Sequence, residues 1–218
     1  MSAPRPAGAG RPPGGSRKVA KPHFLESAAS ASADAVLDFW FGREPGEKTR
    51  AEWFRRDPAF DLEISTRFGA LIEQALAGGI DAWADAPLPA LARVIVLDQF
   101  TRNSFRDTAR AFAGDSQALA AAQRILQLGW NVGYSGVQRQ FCYLPFEHAE
   151  DRGMQQLALQ LFAQLGQDHP KLAELLKWAQ AHHDIVARFG RFPHRNAVLG
   201  RVSTAEEAQF LSQPGSSF

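Results

Sequence analysis

What most narrows the fold of this chain is an apolar rhythm of helical period that glycine repeatedly cuts and proline or a capping residue restarts. Asp57-Pro58 offers a capping side chain followed by proline at a first helical position. From there Phe60, Ile64, Phe68, Leu71, Ile72 and Leu76 return every three or four residues, and Gly78-Gly79 ends the run. That spacing puts them on one face of a helix. The pattern recurs along the chain. Val36, Leu37, Phe39, Trp40 and Phe41 form a short apolar helix over 33–41 that stops at Gly42. Trp53 and Phe54 begin a second short piece, and Pro87 and Pro89 open a helix running through Leu91–Phe100. Asp115 reads as the cap of a helix over Ser116–Leu128, closed by Gly129. Val137–Asp151 follows, with Pro145 inside it to kink it. Met154–Leu165 ends at Gly166, and Asp168 with Pro170 starts the longest C-terminal helix, to Phe189 before Gly190. Ser203-Thr-Ala-Glu206 has capping-box spacing for a last short helix through Leu211.

The only β-like run, Val94-Ile-Val-Leu97, lies inside a helical frame. The expectation is therefore an all-α fold of about eight to nine helices. Short loops between helices imply antiparallel neighbours. Such pairs stack as a tetratricopeptide-like right-handed superhelix or close into a compact bundle. No clean repeat of about 34 residues stands out.

At 218 residues the chain is long enough for one domain with a sizeable core. Residues 1–30 read as a disordered basic tail rich in proline, glycine and alanine, ahead of a single helical domain over 31–218. Arg5, Arg11, Arg17, Lys18 and Lys21 face no acid in the first 25 residues, so the net charge of +1 leaves the remainder mildly acidic. That balance argues against nucleic acid as a partner. An acid-free start containing arginine and serine has the composition of a transit peptide, but its prolines and glycines oppose the amphipathic helix such a peptide needs. The single cysteine, Cys142, excludes an internal disulfide and a cysteine-based zinc site, and suits the cytoplasm. No apolar run approaches membrane-spanning length, so no membrane partner is expected.

Three polar motifs interrupt the apolar helices. In the first, Asp98, Gln99, Arg102, Asn103 and Arg106 follow one another, with Asp98 and Arg102 four apart on one helical face. In the second, Glu147, His148, Glu150 and Asp151 crowd five residues. The third runs from His182-His183-Asp184 into Arg188-Phe-Gly-Arg-Phe-Pro-His-Arg-Asn196, where Arg191, His194, Arg195 and Asn196 sit on a segment stiffened by Pro193. Planar guanidinium donors suit a carboxylate or phosphate. They suit equally the carboxylates of the other motifs, since any buried arginine must be paired. The carboxylates and arginines roughly balance, and only leftover arginines would make an anion site.

The spacings match neither the helical di-iron pattern nor His-Glu-x-x-His, so no metal is implied. No glycine-rich phosphate loop and no Gly-x-Ser-x-Gly turn is present, and no cofactor is implied. Cys142 beside Phe141 and Tyr143, and the five tryptophans, read as core. His182, on a stripe with Ile185, Val186 and Phe189, reads as a satisfied core histidine or a site residue. Three functions remain open. One is a binding module in which Arg102, Arg106, Arg191 and Arg195 hold an anionic small molecule or peptide, with His148 and His194 adding pH-sensitive donors. A second is a hydrolase or transferase in which Glu147 or His148 is the acid-base group. A third is a structural ion network under a protein-interaction surface.

Several motifs together resemble a largely bacterial, uncharacterised family, domain of unknown function 924. They are Asp38-Phe-Trp-Phe41, Trp53-Phe54, Leu97-Asp-Gln-Phe-x-Arg-Asn103, Leu144-Pro-Phe-Glu-His-Ala-Glu-Asp151, Arg188 to Asn196, and the ending Pro214-Gly-Ser-Ser-Phe218. The resemblance spans roughly residues 33–218 and implies a tetratricopeptide-like α-superhelix. It implies no activity. The family pattern usually has proline where this chain has Thr101 and glycine where it has Asp107.

Overall fold

The computed structural model describes residues 1–2, 33–43 and 50–216. Most of the basic tail and the final Ser217-Phe218 lie outside the described residues. Among the described residues the fold is helical and without strands. Helix α1 covers 33–41 and ends at Gly42, whose φ is +84°. Helix α2 runs Pro58–Leu76, its first turn held by Asp57, whose carboxylate accepts from the backbone N–H groups of Ala59 and Phe60. Helix α3 (Pro87–Val94) passes without a break into a π-helical turn (Ile95–Phe100) and a short α4 (Thr101–Ser104). Then come α5 (Asp115–Gln127), α6 (Gly136–Glu147), α7 (Arg152–Asp168), α8 (Leu175–Phe189) and α9 (Ala205–Leu211).

Helix α6 packs on α7 and α7 on α8, while α3 lies against α5. One apolar core runs from Ala33 to Ala179. Trp40, Trp53, Phe60, Phe100 and Phe141 meet in it as edge-on and stacked rings with centroids 4.8 to 5.8 Å apart. Such aromatic pairs stabilise beyond their buried area. A second, smaller cluster of Ile185, Val186 and Phe192 with Phe189 and Phe210 anchors the C-terminal segment.

Helix ends differ from the sequence expectation in ways that matter for the site. The helix holding Pro145 ends at Glu147 and not at Asp151. Asp151 instead caps α7, accepting from Met154 N at 2.9 Å. Residues Pro170–Leu172 form a separate 3-10 turn, so α8 starts only at Leu175. The capping box of α9 is Thr204 with Glu207, one residue later than Ser203 with Glu206. Asp115 is not a cap. It occupies the first turn of α5, with Gly114 as the N-cap. A side chain on Gly114 would collide with the backbone carbonyl of Leu97, so glycine is what lets α5 approach the π-helical turn. Asp107 takes the left-handed φ of +60°.

Candidate functional site

Three chain segments and the start of α5 converge on Asp98. The π-helical turn carries this side chain into the interior, where it is fully buried. Its Oδ1 lies 2.7 Å from His148 Nδ1 and 3.2 Å from Arg102 Nη1. Gln99 Nε2 donates to its Oδ2 at 2.5 Å. Arg102 forks onto Asp115, Nη1 to Oδ1 at 2.7 Å and Nη2 to Oδ2 at 3.1 Å. Arg195, 6% exposed, reaches in from the turn Pro193–Arg195. Its Nη1 donates to Asp115 Oδ2 at 3.1 Å and its Nη2 to the His148 carbonyl at 3.1 Å. The guanidinium lies between two rings, 4.6 Å from the Phe112 centroid and 4.5 Å from that of Phe192. Asp115 thus answers two arginines at once, which is what buried cations require.

The electrostatics settle the protonation of the pair at the centre. Burial pushes the Asp98 carboxyl up, but the Arg102 guanidinium and His148 beside it hold it well below the usual carboxylate range. An ionised Asp98 only accepts, so His148 Nδ1 carries the hydrogen between them. Burial, and then the Arg102 charge, lower the pKa of His148 against the pull of Asp98. At neutral pH the imidazole is therefore neutral, with its lone pair on Nε2. Burial, then Arg102, bring Arg195 down to about 10, which still leaves it charged at pH 7. Burial, helped by the Arg195 charge, brings His194 down to about 4.

His148 lines a cleft of about 370 Å³. Phe112, Leu119, Pro145 and Leu199 form its apolar walls, and Asp115, Glu150, Asp151 and Arg195 add charge. Volumes of this order take a small ligand. Glu150 sits at the junction with the C-terminal segment. It accepts from Phe192 N at 2.7 Å and from both terminal nitrogens of Arg201, at 2.6 and 2.9 Å.

The residues expected from sequence divide into groups. Asp98, Gln99, Arg102, His148 and Arg195 share the cluster just described. Glu147 forms a second buried pair with His182, Oε1 to Nδ1 at 3.0 Å, and the His182 and His148 rings are 6.1 Å apart. His182 Nδ1 is also 2.9 Å from the Trp178 carbonyl. His194 packs beside the Phe192 ring, and Asp151 stands at the cleft as a helix cap. The rest lie elsewhere. Arg106 forks onto Asp61 at 2.6 and 3.0 Å, joined by Asn103 at 2.8 Å. Arg191 forks onto Glu207 at 2.6 and 2.8 Å, and Asn196 donates to Ser203 and to the same Glu207. Among the described residues no group of three or more His, Cys, Asp or Glu side chains is placed to hold a metal ion. Sequence reasoning missed Asp115, because an aspartate opening a helix reads as a cap. It also missed Phe112, and it missed Asp61, Glu207 and Arg201, which carry no local signal for charged partners 45, 16 and 51 residues away.

An all-helical domain with a buried Asp-His-Arg cluster at the wall of a small cleft is what fold and site define. The chain belongs to the family of bacterial proteins of unknown function DUF924, whose sequence profile matches residues 36–215. The chain is also similar to the solved structure of a protein of unknown function from Agrobacterium tumefaciens. The TM-score is 0.75 at 40% identity, over 84% of this chain and 98% of that one. The comparison with curated proteins gives no match. No helix among the described residues is long and apolar enough to cross a membrane.

Proposed function

We propose that this chain is a small-molecule-binding domain whose ligand is held at His148. The observation that carries this reading is the 2.7 Å contact of Asp98 with Nδ1 of His148, a residue that lines the cleft. The buried carboxylate fixes the ring and its tautomer and leaves Nε2 for the ligand. A cleft of about 370 Å³ favours a small molecule over a peptide. Succession of α6, α7 and α8, each on the last, supports a tetratricopeptide-like arrangement as the frame of the site.

A neutral imidazole with a carboxylate behind it is also the arrangement of a general base. Acid-base chemistry on the bound molecule, in a hydrolase or transferase, is therefore the second reading. His148 takes the role, and Glu147 does not, because the Glu147 carboxylate is spent on His182. The test is a thermal-shift panel of small metabolites on the wild type and His148→Gln. Ligand-dependent rises in melting temperature that vanish in His148→Gln are expected. A panel with no such rise, or with rises equal in both proteins, moves the cluster to a purely structural role. Any ligand found is then assayed for turnover. A rate that falls at least about 100-fold in His148→Gln would support the second reading.

A further inference from the structure

We infer that the cleft selects a neutral or cationic molecule bearing an N–H or O–H donor on an apolar body, and disfavours anions. This rests on the reading of the cleft as the ligand site, and it reverses the preference that an arginine-rich sequence suggests. The arginine charges are already answered by carboxylates, and the donor that Arg195 leaves over, its Nε, is buried. Both terminal nitrogens of Arg195 are committed, one to Asp115 and one to the His148 carbonyl. Arg102 is forked onto the same Asp115 and touches Asp98. Arg201 is forked onto Glu150. Of the carboxylates that line the cleft, Asp115 is answered by Arg102 and Arg195 and Glu150 by Arg201, which leaves Asp151 as the charge to favour a cation. Asp151 takes the Met154 N–H and, among the described residues, no cation.

The imidazole points the same way. With Nδ1 given to Asp98, His148 offers a ligand only the Nε2 lone pair, and a lone pair attracts a donor and repels a carboxylate or phosphate oxygen. Phe112, Leu119, Pro145 and Leu199 supply an apolar surface for the rest of the molecule. A cavity of about 150 Å³ holds benzene, so this cleft has room for one ring with a short polar arm.

The experiment uses the full chain and three probes with the same ring: benzylamine, benzyl alcohol and benzoate. Ring signals of His148 are followed by NMR at pH 7.5, assigned among the six histidines by their loss in His148→Gln. Benzylamine and benzyl alcohol are expected to shift the His148 signals saturably, with benzoate at least about tenfold weaker. In Asp151→Asn, which keeps a good helix cap, benzylamine is expected to weaken about threefold or more while benzyl alcohol is unchanged. Benzoate binding as well as the amine overturns the inference and leaves the site standing. No saturable shift with any probe overturns the inference and the site together.

Discussion

Asp115→Asn isolates the charge that holds the cluster together. The asparagine keeps the shape and one acceptor oxygen but removes the anion facing two guanidinium groups. Arg195 is 6% exposed and packed between two phenyl rings, so it cannot turn to solvent. Arg102 retains only Asp98, which His148 shares. Removing one partner of a buried pair costs about 3–5 kcal/mol. The Asp115 side chain is 22% exposed, and the amide still accepts a hydrogen bond worth about 1 kcal/mol, so the expected cost falls to about 2–3 kcal/mol. For a chain of this size that is a drop in melting temperature of roughly 5–10 °C. Urea unfolding with an unchanged slope measures it directly. Adding Arg195→Met removes the stranded charge while keeping an apolar stem between the rings, and should recover about 1 kcal/mol or more. A loss in the single variant under about 0.5 kcal/mol, typical of an exposed position, would falsify this account of the cluster. So would a double variant less stable than the single one.

Three further outcomes are expected. Stability falls as pH drops from about 6.5 toward 4, because His194 is neutral in the fold with its pKa held down to about 4, and protons favour the unfolded chain over that interval. The lowered pKa of His148 adds in the same direction, and His194→Gln should flatten the curve of melting temperature against pH in that window. A curve as steep in His194→Gln as in the wild type rules this assignment out. Gly114→Ala forces a methyl group onto the Leu97 carbonyl and should cost about 2–3 kcal/mol, and a stability equal to wild type would mean that α5 does not approach the turn as described. Asp107→Gly relieves a left-handed residue at φ +60° and should raise stability by about 1 kcal/mol, despite the loss of an exposed ion pair with Arg56; a fall would show that the ion pair outweighs the strain.

Much of the secondary structure was legible in the chain because its signals are local. The Phe60 to Leu76 stripe, the Asp57 cap and the glycine stop after Phe41 each act within a turn or two, and α1 and α2 stand where those residues imply. The π-helical turn was not legible. Asp98 and Arg102 are close at four residues apart in any helix, but the extra residue per turn that carries Asp98 inward is set by packing against α2 and α5. Family membership, too, was readable, since the motifs that carry it are contiguous.

The sequence by itself determined an all-helical chain with three arginine- and carboxylate-bearing motifs. Only the tertiary structure decided which charge answers which. Ion pairing acts through space and is indifferent to separation along the chain, so Arg195 could find Asp115 eighty residues earlier, and Arg106 could find Asp61 on another helix. A hydrogen bond, equally indifferent to that separation, placed His148 against Asp98 across fifty residues, and that contact makes a histidine in a helix-ending motif the centre of the candidate site.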